Sequence, residues 1–261
     1  MVATALTVGC ARETTPESAP SPLMAGQLVD LSHAYDEQTI FWPTAEGFRL
    51  HKDAEGMTPA GYYYAANSFS TAEHGGTHLD APVHFAQGKQ SVDEIPLQRF
   101  FGPAVVVDVT KQSESNADYQ VTVDDLMRAE TENGSITADS IVLLRTGFSS
   151  RWPDAARYLG TAEKGAGAVP KLHFPGLHPD AAKWLVGRDV RAVGLDTASI
   201  DYGQSTLFES HRILYAANIP AFENLTALDR LPARGAFIVA LPMKIAKGSG
   251  APLRAVAVLP R

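Results

Sequence analysis

The stretch "STAEHGGTHLDAPVHFAQG", residues 70–88, places three of the chain's eight histidines, His74, His78 and His84, within eleven residues, with Asp80 among them. On a helix, histidines four residues apart share a face and can hold zinc. Gly75 and Gly76 between the first pair, and Pro82 soon after, make this segment a poor helix. An extended reading fits better. His74, Gly76, His78, Asp80, Pro82 and His84 then share one face, and Thr77, Leu79, Ala81, Val83 and Phe85 share the other. The first face carries every group able to do chemistry; the second is mostly apolar and faces a core.

Distance adds a constraint. Four residues of straight strand span ~13 Å, whereas a zinc–nitrogen bond is ~2.1 Å. His74 and His78 can meet one cation only if the chain bends between them. Glycine supplies such a bend, because it tolerates bulges and lets backbones approach closely. The spacing therefore predicts a kink at Gly75-Gly76 that returns His74 toward His78 and Asp80. His84 falls beside the cation rather than on it, a position suited to a general acid or base.

The rest of the chain narrows the alternatives. With 261 residues, 45% of them hydrophobic, it can bury the core of one large α/β domain. A net charge of −7 and the lack of any lysine or arginine run argue against a nucleic-acid partner. No apolar run reaches the ~18 residues of a membrane span. The single cysteine, Cys10, excludes an internal disulfide and a cysteine-based zinc site, so any metal must rest on histidine and carboxylate. No Gly-x-Ser-x-Gly elbow and no phosphate-binding glycine loop is present.

Residues 1–26 read as a disordered tail or a processed leader. "MVATALTVGC" is short and apolar, and "ARETTPESAPSP" after it is polar and proline-rich. The tail belongs to a cytoplasmic protein; the alternative is a periplasmic or lipid-anchored one held through Cys10, against which the lack of a positive n-region counts. Residues 27–261 read as one domain. "AVVVDV" (104–109), "SIVLLRT" (140–146), "RAVGLDT" (191–197) and "AFIVALP" (236–242) suit strands buried on both faces. Helices are predicted at 122–130, where Thr122 is a candidate N-cap, at 178–189, with Pro179 near its start, and at 205–218, before Pro220. The stretch 147–177, rich in glycine, proline and aromatics, reads as a long loop, a lid or subunit contact.

"HGGTHLDAPVHF" resembles the signature H-x-G-T-H-x-D-x-P-x-H-F of the cyclase-like metal-dependent hydrolases, among them bacterial kynurenine formamidase (arylformamidase) and isatin hydrolase. "DLSHAYDEQTIFWP", with Trp42-Pro43, and "SHRILYAANIPAFENL", in which Glu223 follows His211 by twelve residues, resemble two further segments of that family. The resemblance implies a single swivelling β/β/α domain with a mixed sheet. It implies His74, His78 and Asp80 as metal ligands, and His84 as the catalytic acid–base acting with metal-activated water. It further implies that Asp80 bridges to a second ion completed by His211 and Glu223. The cofactor is then one or two Zn2+ or Mn2+ ions, the substrate a small aromatic amide, and the assembly a homodimer or homotetramer. Two features depart from the formamidases: extra length around 147–177, and "GLDTASIDYGQS" (194–205), which resembles the isatin-hydrolase branch.

An aromatic substrate needs an apolar slot. Trp42, Phe69, Phe85 and Phe174 are candidates for its wall, and Ser199 for a further contact. Asp196 and Asp201 end a predicted strand, where site loops often sit, and Asp196 is a candidate either to orient a ligand histidine or to cap a turn. His173 and His178 read as ordinary loop histidines. Three functions follow: a hydrolase of an aryl formamide or cyclic amide, a cyclase or dehydratase of aromatic metabolites, and a tethered binding protein using the metal pocket without catalysis. An intact His84 favours the enzymes.

Overall fold

Residues 26–260 are described by the computed structural model; the reading of a tail or leader with Cys10 lies almost wholly outside them. In chain order the strands are β1 Leu28–Asp30, β2 Arg49–Met57, β3 Tyr63–Ser70, β4 His78–Asp80, β5 Phe101–Asp108 and β6 Gln120–Val121. They continue as β7 Ile141–Arg145, β8 Gly176–Leu177, β9 Ala192–Leu195, β10 Ala221–Glu223, β11 Arg234–Pro242 and β12 Gly250–Val258. The helices are α1 Thr110–Ser115, α2 Val123–Asn133, α3 Ala155–Leu159, α4 Pro179–Gly187 and α5 Glu209–Ala216.

Eight strands form a mixed sheet in the order β1-β12-β11-β5-β7-β9-β10-β4, and β4 also pairs with β12, so the sheet closes into a barrel. The run β5-β7-β9-β10 is parallel and the remaining pairs are antiparallel. This is the α/β architecture with a mixed sheet that the sequence implies. Its parallel strands are apolar on both faces, as expected where helices cover a sheet. On β5, Ala104 and Val106 point into the barrel with Leu79, Leu143 and Phe222. Val105 and Val107 point outward against Leu126 of α2, Leu185 of α4 and Leu214 of α5.

Local chemistry sets the helix ends. Thr122 accepts from the Asp125 N–H while Asp125 accepts from the Thr122 N–H, a reciprocal cap worth ~1 kcal/mol to α2. Pro179 opens α4, and the His178 ring caps it by accepting from the Asp180 N–H.

Three elements differ from the reading of the sequence. The stretch 147–177 is not one loop: it holds α3, β8 and two turns of 3-10 helix, and it buries Phe148, Tyr158, Leu159, Leu172 and Phe174 with Ile40 in a small core of its own. Elements of two to six residues are too short for hydrophobic periodicity to show. The β2–β3 hairpin is solvent-facing on both sides, so it lacks the alternation that marks a half-buried strand. Finally, the strand expected through 74–85 is limited to His78–Asp80, and Pro82–His84 is a turn of 3-10 helix. Pro82 cannot donate to a ladder and has the φ of a helical first turn.

The short β4 sets up the site. It lies between β10 and β12, where His78 pairs with Glu223 and Asp80 with Gly250. Paired residues point to the same face of a sheet, as do residues two apart on one strand. His78, Asp80 and Glu223 therefore share one face, and Leu79 and Phe222 fill the barrel from the other.

Candidate metal centre

The glycine pair bends as its spacing requires. Gly75 has φ of 149° and Gly76 φ of 57°, conformations that a side chain disfavours. Space enforces the same choice: a Cβ on Gly75 would lie 2.0 Å from Phe41 Cδ1, and one on Gly76 2.6 Å from Tyr35 Cζ. The Tyr35 hydroxyl shares its proton between the Gly75 and Thr77 carbonyls at 2.7 and 2.8 Å. Asn224 donates from Nδ2 to the Gly76 carbonyl at 2.8 Å. The kink brings the His74 and His78 rings to 5.4 Å between centroids.

Two groups of potential ligands result, and they share Asp80. In the first, Asp80 Oδ1 is 2.6 Å from His74 Nδ1 and 3.0 Å from His78 Nε2. In the second, His211 Nε2 is 3.4 Å from Asp80 Oδ2 and 3.3 Å from Glu223 Oε1. His78 Nε2 is also 3.5 Å from Glu223 Oε2, which joins the two. Two donors each ~2.1 Å from a cation stand at most ~4.2 Å apart, so these distances suit shared ligation.

Several further observations test the fit to a cation. His78 donates from Nδ1 to the Gly76 carbonyl at 3.0 Å, which turns the buried Nε2 toward Asp80 and Glu223 as the nitrogen free to take a cation. His211 donates from Nδ1 to Asp201 at 2.5 Å and likewise turns Nε2 inward. Asp201 also accepts from the Ser210 and His211 N–H groups at the first turn of α5, so one carboxylate sets both helix and ring. Burial and then the charge of Asp80 push the Glu223 carboxyl above its usual range. Burial acts on Asp80 the same way, but the surrounding imidazoles, His74 foremost, hold it well below. Two carboxylates and two inward-facing imidazole nitrogens, all nearly inaccessible, are arranged for positive charge, and against burial, which acts to lower them, the carboxylates raise both imidazoles above their usual range.

His84 stands beside both triads. Its Nε2 is 3.9 Å from Asp80 Oδ2, and its ring stacks on His74 with centroids 3.8 Å apart. Burial lowers it to about 4, opposed by the charge of Asp80 and aided by the nearby imidazoles, so the ring is neutral and has a lone pair to accept a proton. Above these groups opens a cavity of about 300 Å³, walled by Phe41, Trp42, Phe85 and Phe208 with Ser199 and Asn224.

The Cyclase family model matches residues 29–202, two thirds of the chain. The chain belongs to the cyclase family. It is 34% identical to isatin hydrolase of Roseibium aggregatum over 81% of each chain. It is 30% identical to kynurenine formamidase of Salinibacter ruber, over 88% of this chain and 96% of that one. Its fold is similar to that of isatin hydrolase A from Ralstonia solanacearum, with a TM-score of 0.82, 34% identity, and coverage of 94% of this chain and all of that one.

Within this cyclase-family fold, the residues expected at the site divide clearly. His74, His78, Asp80, His84, His211 and Glu223 converge, and Trp42, Phe85 and Ser199 line the cavity. Phe69 does not: it lies on β3, half exposed, and stacks on Phe48 with centroids 5.8 Å apart. Phe174 does not either; it is fully buried behind Trp42, edge to face at 6.4 Å. Of the two roles open to Asp196, the turn is the one observed, since it accepts from the N–H groups of Thr146 and Gly147 after β7; the carboxylate that orients a histidine is Asp201, on His211. His173 pairs with Asp118 near the surface. Four contributors were not among the candidates: Phe41, Phe208, Asn224 and Tyr215, whose hydroxyl donates to Asp80 Oδ2 at 2.9 Å. Tyr215 carried a signal, since it stands four residues after His211 on one helix face. Phe208 precedes α5 in a left-handed conformation, φ 47°, which no local pattern announces.

Proposed function

We propose that this chain is a metal-dependent hydrolase of a small aromatic amide, cyclic or formylated. One arrangement carries the reading: two His–carboxylate triads joined at Asp80, under an aromatic-walled cavity, with His84 beside them. A divalent cation held by His74, His78 and Asp80, with room for a second at Asp80, His211 and Glu223, supplies a Lewis acid that acidifies water and polarises a carbonyl. Nitrogen and carboxylate donors suit Zn2+ and Mn2+ alike.

The chain's own groups do the rest. His84 Nε2 accepts a proton from the attacking water as its oxygen bonds to the amide carbon. The C–N bond breaks, and His84 returns the proton to the departing nitrogen, leaving a carboxylic acid and an amine. Trp42, Phe85 and Phe208 hold the aromatic ring, and Ser199 contacts its polar edge. The cavity volume sits at the lower end of the ~300–1,000 Å³ of small-molecule sites, which suits a one- or two-ring substrate. The cyclic amide is favoured by the 34% identity to isatin hydrolase and by the "GLDTASIDYGQS" segment. Incubation with isatin and with N-formylkynurenine, in added Zn2+ or Mn2+, tests this: ring opening of isatin is expected, and turnover of neither compound overturns it.

The same reading includes a homo-oligomer, at least a dimer. An isolated two-stranded hairpin is marginal in water. Leu50, Met57, Tyr62, Tyr63, Tyr64 and Phe69 on the β2–β3 hairpin are each more than half exposed. Residues 49–70 supply about the 20–30 residues per partner of a standard interface, and a second copy offers the self-complementary patch that two-fold symmetry requires. Light scattering should give a multiple of 28.0 kDa, and Tyr63→Glu with Phe69→Glu should give the monomer. A monomeric unmodified protein overturns this part.

A further inference from the structure

Two residues outside the signature, Ser249 and behind it Glu73, stand against the His74 ring. A carboxylate only accepts hydrogen bonds, and this determines the protons along a row of three side chains. Glu73 Oε2 accepts from the Ser249 hydroxyl at 2.6 Å and from the Ser249 N–H at 3.0 Å. With its proton committed to Glu73, Ser249 Oγ faces His74 Nε2, 2.9 Å away, as an acceptor. His74 therefore carries a proton on Nε2, and its Nδ1, which donates to Asp80 Oδ1 at 2.6 Å here, is the nitrogen left to a cation once that proton is displaced. His78 and His211 present the opposite nitrogen, Nε2, to the same carboxylate.

The backbone around Ser249 holds this arrangement against the ring. The Ser249 carbonyl accepts from the Ala81 N–H at 2.8 Å, and Gly250 pairs with Asp80. A Cβ on Gly250 would lie 2.5 Å from His74 Cε1, so the start of β12 touches the imidazole directly. Because His84 stacks on His74, whatever fixes the one ring also fixes the surface against which the other rests.

We propose that Glu73 and Ser249 are positioning residues that lock His74 in its Nε2–H form and thereby set the affinity of the first triad for a divalent cation. Outer partners of this kind typically change metal affinity by ~10–100-fold. The inference rests on the metal-centre reading above, and its tests do not depend on turnover. In the Zn2+-loaded protein, long-range proton–nitrogen correlation of the histidine rings should show His74 protonated on Nε2 and ligating through Nδ1. The opposite assignment overturns the proposal without any substitution. In chelator competition, Ser249→Ala and Glu73→Ala should each weaken Zn2+ binding by ~10–100-fold. Ser249→Thr, which keeps the hydroxyl, should restore wild-type affinity. Wild-type affinity in Ser249→Ala overturns the positioning role alone; an unmodified protein that binds no Zn2+ overturns the metal-centre reading beneath it.

Discussion

The two triads share one carboxylate but are assembled differently. His74, His78 and Asp80 lie within seven residues, and a local device, the Gly75-Gly76 kink, gathers them. His211 and Glu223 arrive from α5 and β10, more than a hundred residues from Asp80, and only the closed sheet brings them together. The local triad is partly open, with His74 about a quarter exposed, and leans on a serine and a surface-proximal glutamate. The distant triad is sealed, and its histidine is held by a buried aspartate. The first reads as the working edge of the centre and the second as its foundation.

The sharpest way to break this comparison is to remove what the triads have in common. Asp80→Asn leaves Tyr215 its hydrogen-bond partner but takes away the charge that both triads use. Cation affinity should fall at both, by more than the ~100-fold that loss of an outer partner costs. Metal analysis after dialysis should find no retained ion. Full retention of one ion would mean that the triads are independent sites and that Asp80 joins only one of them.

Next in size is the effect of separating chemistry from binding. His84 belongs to neither triad, so His84→Ala should leave the Zn2+ titration unchanged while turnover of isatin falls by ~10²–10⁴-fold. A parallel loss of cation affinity would place His84 among the ligands instead.

The contrast between the triads also marks what was legible beforehand. Spacing alone predicted the kink, because ~13 Å of straight strand cannot serve one ion. It also assigned Thr77, Leu79 and Ala81 to the buried face. The same alternation misled beyond Asp80, where Pro82 starts a 3-10 turn and brings His84 back beside Asp80. Nothing local links His211 to Asp80; that pairing came through resemblance, and the barrel supplies its physical cause. Phe69 and Phe174 were misplaced for the same reason: aromatic character does not say which side of a tertiary contact a ring occupies. Ser249 stands 175 residues from His74 and has no motif, so only the structure joins them.

Asp201→Asn sharpens the comparison further. Asp201 is to His211 what Ser249 and Glu73 are to His74, but its contact is direct and buried. The amide keeps the shape and loses the charge that fixes the Nδ1–H form. Cation affinity at the second triad should weaken by ~10–100-fold. Zn2+ stoichiometry at limiting metal separates the sites: the first should fill as in the unmodified protein, the second only at higher concentration. Equal weakening of both would show that the shared carboxylate couples them too tightly to be counted separately.

The smallest effect is expected at Tyr215. Its hydroxyl donates to Asp80 Oδ2 from the interior side, four residues along α5 from His211. Burial, and then the charges of Asp80 and Glu223, hold its phenol well above the usual range, so it remains a donor throughout the accessible pH range. A hydrogen bond to a charged group contributes ~1.5–3 kcal/mol. Phenylalanine fills the same space without that bond, so Tyr215→Phe should lower the melting temperature of metal-free protein by several degrees, at ~2–4 °C per kcal/mol for a chain of this size. In loaded protein the shift should shrink, because a cation on Asp80 takes over the neutralisation that the phenol provides. A shift of the same size with and without metal would mean that Tyr215 supports the helix rather than the carboxylate, and would remove it from the foundation of the centre.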